Sequence, residues 1–400
     1  MATAGDDWAR FRRALAGETL PAALVDLDAF DANLECLLLP ARAAGKPVRV
    51  ATKSLRCPSL IARAAERAGG GLMTYTAGET AYWAADGARD LVLAYPTVQA
   101  ADAAALAAAN RTARAAAVVD DAAQLAPLAE AARAASTRIP VVIDVDMSWR
   151  PVGGVHVGVR RSPLRAAADV VALAQQIAAA PALEFLGVMG YEAQIAGVPD
   201  AAPFSSWQNP IKRALKRGSR PAVASLRAEV VRALAAAGMA PTVVNGGGTG
   251  SAAWSASDGA LTEITVGSGF LAGTLFDGYA GLTLSPSLYF ALQVTRRPSP
   301  RVVTCHGGGF VASGAAGADK LPQPALPSGC RLLPLEGAGE VQTPVQLGDG
   351  VEVALGDPIF FRPAKSGELA EHFDEYLLVR GDRVEARAPT YRGLGKRFLG

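Results

Sequence analysis

Lys53 closes the apolar run VRVATK, and a lysine in that position is able to do covalent chemistry. The stem of a lysine at the end of a buried strand is withdrawn from water. This favours the neutral amine, which can form a Schiff base with a carbonyl group. A lysine at the same place can also extend to the rim of the fold and stay charged, and its position alone leaves both interpretations open. Only seven lysines occur in the chain, so few other side chains offer this chemistry.

Two glycine-rich stretches are the next candidates. Residues 245–251 have the sequence NGGGTGS and residues 267–269 the sequence GSG, and each stretch directly follows a predicted strand. Glycines let the backbone approach an anion closely, so that N–H groups and neighbouring hydroxyls can hold it. Neither a GxxxxGK[ST] motif nor a dinucleotide-binding fingerprint is present. The two stretches therefore predict a phosphate site of another kind.

The elements that must position these residues alternate regularly between strands and helices. Short apolar runs predict strands at Val48–Lys53, Gly71–Thr76, Leu91–Pro96, Ala115–Asp120, Pro140–Asp146, Leu186–Tyr191, Thr242–Gly246 and Glu263–Gly267. Alanine-rich amphipathic segments between them predict helices, and nearly continuous apolar strands are typical of a parallel sheet covered by helices. Eight such repeats in about 250 residues predict a (β/α)8 TIM-type barrel, with a doubly wound open sheet as the main alternative.

The sequence pattern changes near Leu284, where the helical periodicity ends and short Val/Leu runs with Gly and Pro begin. This pattern predicts a C-terminal β domain, so we expect a barrel over residues 1–283 and a β domain over residues 284–400. An additional strand-like run, Ala22–Ala29, precedes the barrel. Gly197–Pro221 is a long insertion with three internal prolines and a basic cluster, and we expect either an irregular lid over the site or a surface loop with a short basic helix.

Composition limits the classes of partner. The 400 residues carry 39 basic and 37 acidic side chains, a formal net charge of +2. This near balance argues against a nucleic-acid-binding or membrane-surface protein. The four cysteines have no CxxC spacing, which fits a reducing compartment. No apolar run reaches about 20 residues, so no membrane span is expected, and together these features predict a cytoplasmic protein. A Schiff-base lysine combined with a phosphate site on a barrel favours pyridoxal 5′-phosphate (PLP), although a Schiff-base aldolase acting on a phosphosugar also fits.

Several motifs resemble the fold-type III PLP enzymes, and within them the D-threonine aldolase and D-serine dehydratase-like family, which is related to alanine racemase. Residues 20–28, LPAALVDLD, resemble the opening strand of these enzymes, and residues 51–58, ATKSLRCP, resemble their cofactor-lysine segment. Further similarity, in the order the family shows, lies in TAGE at 76–79, AYP at 94–96, IDVD at 143–146 and GYE at 190–192. The resemblance covers essentially the whole chain.

The resemblance implies a role for particular residues. Lys53 would hold PLP as a Schiff base and later act as the base at the substrate Cα. Arg150 would lie beside the cofactor ring, where an arginine cannot give up a proton and leaves the cofactor a weaker electron sink. Tyr191 would line the cofactor pocket, and the phosphate would be held by Gly248, Thr249, Gly267 and Ser268. In this family the opening strand joins the C-terminal β domain, and the active site forms between the subunits of a homodimer.

One departure concerns a metal. Relatives carry a His-x-Cys or His-x-Asp pair near the C-terminus that binds a metal, and the corresponding stretch here, residues 361–368, has no such pair. His372 and Asp374 have suitable chemistry, but they lie out of register with that pair. We therefore assign no metal ligand, and the need for a divalent metal stays open.

The expected activity is that of a PLP-dependent lyase, with aldol or deaminase-type cleavage of a D- or β-hydroxy amino acid. Retro-aldol cleavage needs a base for the β-hydroxyl, and His156, His306 or Lys365 can supply it. A racemase or decarboxylase on the same fold is the alternative; racemisation needs a second base, for which Tyr289 and Tyr391 are the β-domain candidates. The other alternative is a non-catalytic PLP-binding protein, and a β domain argues against it.

Overall fold

The computed structural model describes residues 4–399, apart from the side chains of residues 4–6, 204 and 205. In chain order the strands are β1 (Ala22–Asp26), β2 (Val48–Ala51), β3 (Gly69–Thr74), β4 (Asp90–Leu93), β5 (Arg114–Val119), β6 (Ile139–Asp144), β7 (Leu183–Met189), β8 (Val243–Gly246), β9 (Glu263–Val266), β10 (Leu288–Ser299), β11 (Val302–His306), β12 (Gln323–Leu326), β13 (Arg331–Leu332), β14 (Gln342–Gln346), β15 (Pro358–Arg362), β16 (Glu375–Arg380) and β17 (Arg383–Pro389). The α-helices are α1 (Ala4–Ala14), α2 (Leu27–Ala43), α3 (Pro58–Ala68), α4 (Ala77–Ala85), α5 (Ala100–Ala109), α6 (Leu125–Ala134), α7 (Ala167–Ala178), α8 (Ala193–Ala196), α9 (Asn209–Ala236) and α10 (Ala252–Ser257).

Strands β2 to β9 pair in parallel and close into a barrel, so the predicted (β/α)8 fold is confirmed. Each of the eight strands overlaps the run that predicted it. Alternate side chains of a strand point into the barrel and out towards the helices. On β2, Val48 and Val50 pack outwards, whereas Arg49 is completely buried and pairs with Glu263 at 2.7 Å and Asp90 at 3.1 Å. Glu263 and Asp90 begin their strands, so this ion-pair network lies at the amino-terminal end of the barrel.

The remaining strands form a second sheet, in the order β13-β14-β11-β10-β1-β16-β17, with β15 pairing with β10 and β12. β1 lies inside this sheet, antiparallel to β10 and parallel to β16. Phe11 of α1 packs on the same sheet against Tyr289 and Phe360, with ring centroids 5.3 and 5.6 Å apart. The amino-terminal segment and the C-terminal strands thus share one core.

Two predicted elements need correction. The run Ala22–Ala29 is a strand only as far as Asp26, because the Asp26 carboxylate accepts hydrogen bonds from the N–H groups of Asp28 and Ala29 and so begins α2. The insertion Gly197–Pro221 is not irregular throughout, since α9 begins at Asn209 and continues through Pro221.

The buried side chains of α9 explain why it continues past a proline. They recur at helical spacing, and burial of such a stripe can outweigh the cost of a residue that breaks helices. They are Asn209, Lys216, Ser219, Val223, Arg227, Val230 and Leu234. Among the described residues, no helix combines the length and the apolar character that crossing a membrane requires.

Barrel and β domain meet through buried hydrogen bonds. The Tyr391 hydroxyl, just after β17, donates to Glu79 at 2.9 Å and accepts from the indole N–H of Trp83 at 2.8 Å. Both barrel residues lie on α4. Because Glu79 also accepts a hydrogen bond from the Tyr75 N–H at 2.8 Å, this contact joins the β domain to the loop that follows β3.

Candidate active site

A cavity of about 500 Å³ opens at the carboxyl ends of the barrel strands. This is the end at which barrel enzymes carry their reactive groups, and the volume suits a small-molecule ligand. The loops after β2, β3, β7, β8 and β9 contribute one wall, and residues 364–368 of the β domain contribute another. Side chains and backbone from both parts therefore face the same space.

Lys53 lies on this cavity, one turn after β2, and its Nζ is 4.5 Å from the centre of the Tyr75 ring. The side chain is open to the cavity but lies deep below the outer surface of the protein. Burial, followed by the positive charges of Arg161, Lys365 and Arg56, lowers the pKa of Lys53 to about 8. A lysine in these surroundings has a substantial neutral fraction near neutral pH, as a Schiff-base nucleophile requires.

Gly248, Thr249, Gly267 and Ser268 all line the cavity, where the loops after β8 and β9 lie side by side. The Thr249 hydroxyl joins the two loops, because it lies 3.3 Å from the Ser268 hydroxyl and accepts a hydrogen bond from the Gly269 N–H at 3.0 Å. Among the described residues, no hydrogen bond uses the backbone N–H groups of Gly248, Thr249 or Ser268.

The loop after β8 has no room for a side chain at Gly248. A Cβ there would lie 2.8 Å from the Cβ of Ala196 and 3.2 Å from the Tyr191 ring. The backbone is therefore held tightly against the cavity wall with its N–H groups free. Free backbone donors beside two hydroxyls fit a phosphate group.

Glu192 anchors this loop from behind. Its side chain is completely buried and accepts hydrogen bonds from the Gly247 N–H at 3.1 Å and the Ser251 hydroxyl at 2.9 Å. Arg227 of α9 pairs with Glu192 at 3.0 Å and with Asp258 at 2.5 Å. The sequence motif GYE includes Glu192, but its role as an anchor was not predicted from the sequence.

Two tyrosines flank the cavity. Tyr191 follows β7, as predicted, and burial raises the pKa of its hydroxyl to about 12, so the hydroxyl stays protonated. Tyr75 follows β3, and its ring packs on Lys53. Tyr75 itself was not predicted from the sequence as a site residue. Its position near the carboxyl end of a predicted barrel strand is the signal that could have identified it.

The expected position of Arg150 is wrong, because Arg150 does not line the cavity. It pairs with Asp146 at 2.7 Å, and half of its side chain is exposed. Arg161, eleven residues later in the same loop, lines the cavity instead. Its guanidinium lies 5.8 Å from the centre of the Tyr191 ring and pairs at 3.2 Å with Asp144, whose pKa burial raises to about 6.

The three histidines lie away from the cavity lining. His156 contacts the Val159 carbonyl at 3.3 Å, and His306 is exposed at the end of β11. The exposed His372 stacks on Phe310, with ring centroids 4.6 Å apart. The geometry therefore places neither His156 nor His306 where it could act as a base on a bound ligand.

A metal does not fit the donors that are present. Asp374 pairs with Arg392 at 3.0 Å rather than facing the cavity. The stretch 361–368 presents Lys365 and Glu368 to the cavity, and an ammonium group is not a metal ligand. No group of three or more His, Cys, Asp or Glu side chains suited to a metal occurs among the described residues.

The tyrosines suggested as a second base for racemisation also lie elsewhere. Tyr289 is buried in the second sheet against Phe11, and the Tyr391 hydroxyl is engaged by Glu79 and Trp83. Neither residue lines the cavity.

The insertion supports the cavity wall more than it covers it. Lys216 of α9 pairs with Asp200 at 3.0 Å and lies 4.8 Å from the centre of the Tyr279 ring. The Tyr279 hydroxyl donates to the Ala196 carbonyl at 3.2 Å, and Tyr279 lines the cavity. Within the described part of the segment 197–221, only Gly197 lines the cavity.

The chain is similar to known proteins in sequence and in fold. D-threonine aldolase from Arthrobacter sp. is 28% identical over 299 residues, which is 74% of this chain and 73% of the relative. Two solved structures share the fold over nearly the whole chain. D-threonine aldolase from Filomicrobium marinum has a TM-score of 0.80 and 24% identity, covering 95% of this chain and 96% of that one. D-threo-3-hydroxyaspartate dehydratase from Delftia sp. HT23 has a TM-score of 0.75 and 19% identity, covering 94% and 98%.

The family model for the alanine racemase N-terminal domain matches residues 25–271. This range runs from β1 through all eight barrel strands and includes Lys53 and both glycine loops. The chain belongs to the alanine racemase N-terminal domain family.

Proposed function

We propose that this protein is a PLP-dependent lyase that cleaves a D- or β-hydroxy amino acid. The observation that carries the proposal is the convergence of Lys53 and the two glycine loops on one cavity. The relative named D-threonine aldolase supports the type of reaction. When bound, PLP supplies an electron sink for the bond that is broken at the substrate Cα.

Each part of the cofactor has residues suited to hold it. Lys53, with its lowered pKa, would bond to the aldehyde carbon of PLP and move a proton at the substrate Cα. The free N–H groups of the loops after β8 and β9, with the hydroxyls of Thr249 and Ser268, would hold the phosphate. Arg161, rather than Arg150, is the arginine available to the cofactor ring. Its guanidinium is permanently charged and cannot give up a proton to that ring.

The test is an absorption spectrum of the protein with PLP, followed by borohydride reduction and peptide mapping. We expect a coloured protein whose reduced adduct maps to Lys53. Lys53→Ala abolishes the adduct, while Lys46→Ala retains it, because Lys46 donates to the Asp258 carbonyl outside the cavity. A protein that stays colourless with PLP refutes the proposal and favours a phosphosugar enzyme.

The reaction is identified from the products. Incubation with D-threonine is expected to release an aldehyde and glycine, while L-threonine serves as the control for the enantiomer. Release of ammonia and a keto acid would indicate deamination instead, and a change of chirality without cleavage would indicate a racemase. A PLP-bound protein that alters no amino acid would indicate a non-catalytic binding protein.

The homodimer expected from the resemblance stays a prediction. We propose that the β domain of one subunit lies near the cavity of the other. Light scattering coupled to size exclusion measures the mass directly. A mass of one chain across the working range of protein concentrations would contradict the proposal.

A further inference from the structure

Four polar residues of the β domain form a cluster on the cavity wall: Ser313, Lys365, Ser366 and Glu368. The Lys365 ammonium donates to the Ser313 carbonyl at 2.7 Å and to the Ser313 hydroxyl at 3.2 Å. The Ser313 hydroxyl in turn donates to the Glu368 carboxylate. One aliphatic hydroxyl thus lies between a cation that donates a hydrogen bond to it and an anion that accepts a hydrogen bond from it.

The cluster lies directly beside Lys53. A Cβ at Gly367 would lie 2.4 Å from the Lys53 carbonyl oxygen and 3.4 Å from the Ser54 Cα. Lys365 lowers and Glu368 raises the pKa of Lys53, so these charges also act on the lysine through the cavity. A ligand bonded near Lys53 therefore has this cluster within reach.

One member of the cluster has no partner. The Ser366 side chain is 3% exposed and lines the cavity, and its hydroxyl makes no hydrogen bond with any described residue. A buried hydroxyl without a hydrogen-bond partner is destabilising, so such groups normally have one. A ligand with a polar group at this wall would supply one.

The charges of the cluster select the chemistry of that polar group. A carboxylate at this wall would be attracted by Lys365 but repelled by Glu368, and the reverse holds for an ammonium group, so the pair of charges gives neither ion a net advantage. An alcohol can accept from Lys365 and donate to Glu368 at once, as the Ser313 hydroxyl already does. The cluster is therefore complementary to a hydroxyl group.

We propose that Lys365 and Glu368 bind the β-hydroxyl of the substrate, and that Glu368 accepts its proton during cleavage. This proposal rests on the proposed lyase function and specifies the substrate as a β-hydroxy amino acid. Ser313 is exposed, so its hydroxyl can yield its place to that of the substrate.

The step balances without a further reactant. The O–H bond breaks and its proton passes to Glu368, while the oxygen lone pair forms the C=O bond of an aldehyde. The Cα–Cβ bond breaks and its electron pair stays with Cα, which then takes a proton from Lys53. Lys365 stabilises the negative charge that develops on the oxygen, and the proton on Glu368 returns to Lys53 through solvent.

Two reactions of the PLP-loaded enzyme test the proposal. The first is aldehyde release from D-threonine, and the second is exchange of the Cα proton of D-alanine in D₂O, followed by NMR. Both need Lys53, but D-alanine has no hydroxyl group. Glu368→Gln should lower kcat for aldehyde release by about 10²–10⁴-fold, the usual contribution of a general base.

Lys365→Met should lower kcat/KM for aldehyde release by about 10²-fold, because it removes one charged donor from the transition state. Both variants should keep the exchange reaction within about threefold of the parent enzyme. The matched control is Lys320→Met, because Lys320 pairs with Asp319 and does not line the cavity. It should leave both reactions unchanged.

The outcomes separate the possible failures. Equal loss of both reactions in Glu368→Gln and Lys365→Met would show that the cluster only supports Lys53. Full retention of aldehyde release in these variants would show that the cluster has no role. Either result overturns the proposal. So would aldehyde release that disappears after chelation and returns with a divalent metal. A parent enzyme that exchanges the D-alanine proton but cleaves no β-hydroxy amino acid overturns the proposed function as well.

Discussion

Glu192 offers a test of how the phosphate loop is held. In Glu192→Gln the side chain keeps its size but loses its charge, so Arg227 is left with Asp258 as its only carboxylate partner. One oxygen also becomes an N–H₂ group facing the hydroxyls of Ser251 and Ser255. We expect lower stability and weaker binding of PLP together, because the same carboxylate fixes the loop that faces the cofactor.

The size of the effect follows from these contacts. Removing one partner of a buried ion pair costs about 3–5 kcal/mol, and the retained Asp258 contact places Glu192→Gln at the lower end, about 3 kcal/mol. If about half of this loss appears as disorder of the loop, the affinity for PLP falls by roughly tenfold, since 1.4 kcal/mol corresponds to a factor of ten.

A matched control lies at the opposite end of the barrel. Asp90→Asn also removes a charge from a buried arginine, but Arg49 keeps its bidentate contact with Glu263 at 2.7 and 2.8 Å. Asp90 is partly exposed, so we expect a loss of about 1 kcal/mol. PLP affinity should stay within about twofold, because the amino-terminal end of the barrel is remote from the cavity.

Urea unfolding of the PLP-free proteins measures the free energy of unfolding, and absorbance titration measures the affinity for PLP. The reasoning is wrong if Glu192→Gln is destabilised by about 3 kcal/mol but binds PLP as tightly as the parent protein. It is equally wrong if Asp90→Asn weakens PLP binding as much as Glu192→Gln does.

Three further predictions concern residues on the cavity or in the loops beside it. Because the pKa of Lys53 is lowered to about 8, its bonding to PLP should accelerate as pH rises, with a midpoint near 8 in stopped-flow absorbance; a midpoint near the ordinary 10.4 of lysine would contradict this. Arg161→Gln should move that midpoint measurably upward, because a positive charge that favours the neutral amine is lost, while Arg150→Gln should leave it unchanged. Gly248→Ala should weaken PLP binding by about tenfold or more in the absorbance titration, because the added Cβ would lie 2.8 Å from the Cβ of Ala196. The control Gly259→Ala should bind PLP normally, because a Cβ there has nothing within 4 Å.

The barrel and the position of Lys53 at its rim could be predicted because both depend on local patterns. Eight apolar runs separated by amphipathic segments leave few arrangements other than a closed parallel barrel. The end of each strand then has a known direction, which places Lys53, Tyr191 and the glycine loops at one rim. These residues lie on the cavity as expected.

Arg150 shows where this reasoning stops. The loop between β6 and α7 covers residues 145–166 and contains four arginines, none of them in a regular helix or strand. Without a periodic element, spacing does not determine which arginine turns inwards. In the structure Arg161 faces the cavity beside Asp144, whereas Arg150 pairs with Asp146.

The polar cluster of the β domain could not be assembled from the sequence. Ser313 and Lys365 are 52 positions apart and meet only because the loop after β11 folds over the segment that follows β15. Lys365 was a candidate base from its chemistry alone. Its partners, which define what it can bind, depend on the tertiary structure of the second sheet.

The division of the cavity between two sheets has a consequence for how the chemistry can vary. The barrel supplies Lys53 and the loops that would hold the cofactor, while the β domain supplies the charges that would face the substrate. Gly367 contacts the Lys53 backbone too closely to admit a side chain, so the distance between these two walls is fixed by packing. Substitutions at Lys365 and Glu368 can therefore change which bond of the substrate is broken without moving the lysine. Solved structures named D-threonine aldolase and D-threo-3-hydroxyaspartate dehydratase share this fold, and a fold by itself does not determine the reaction.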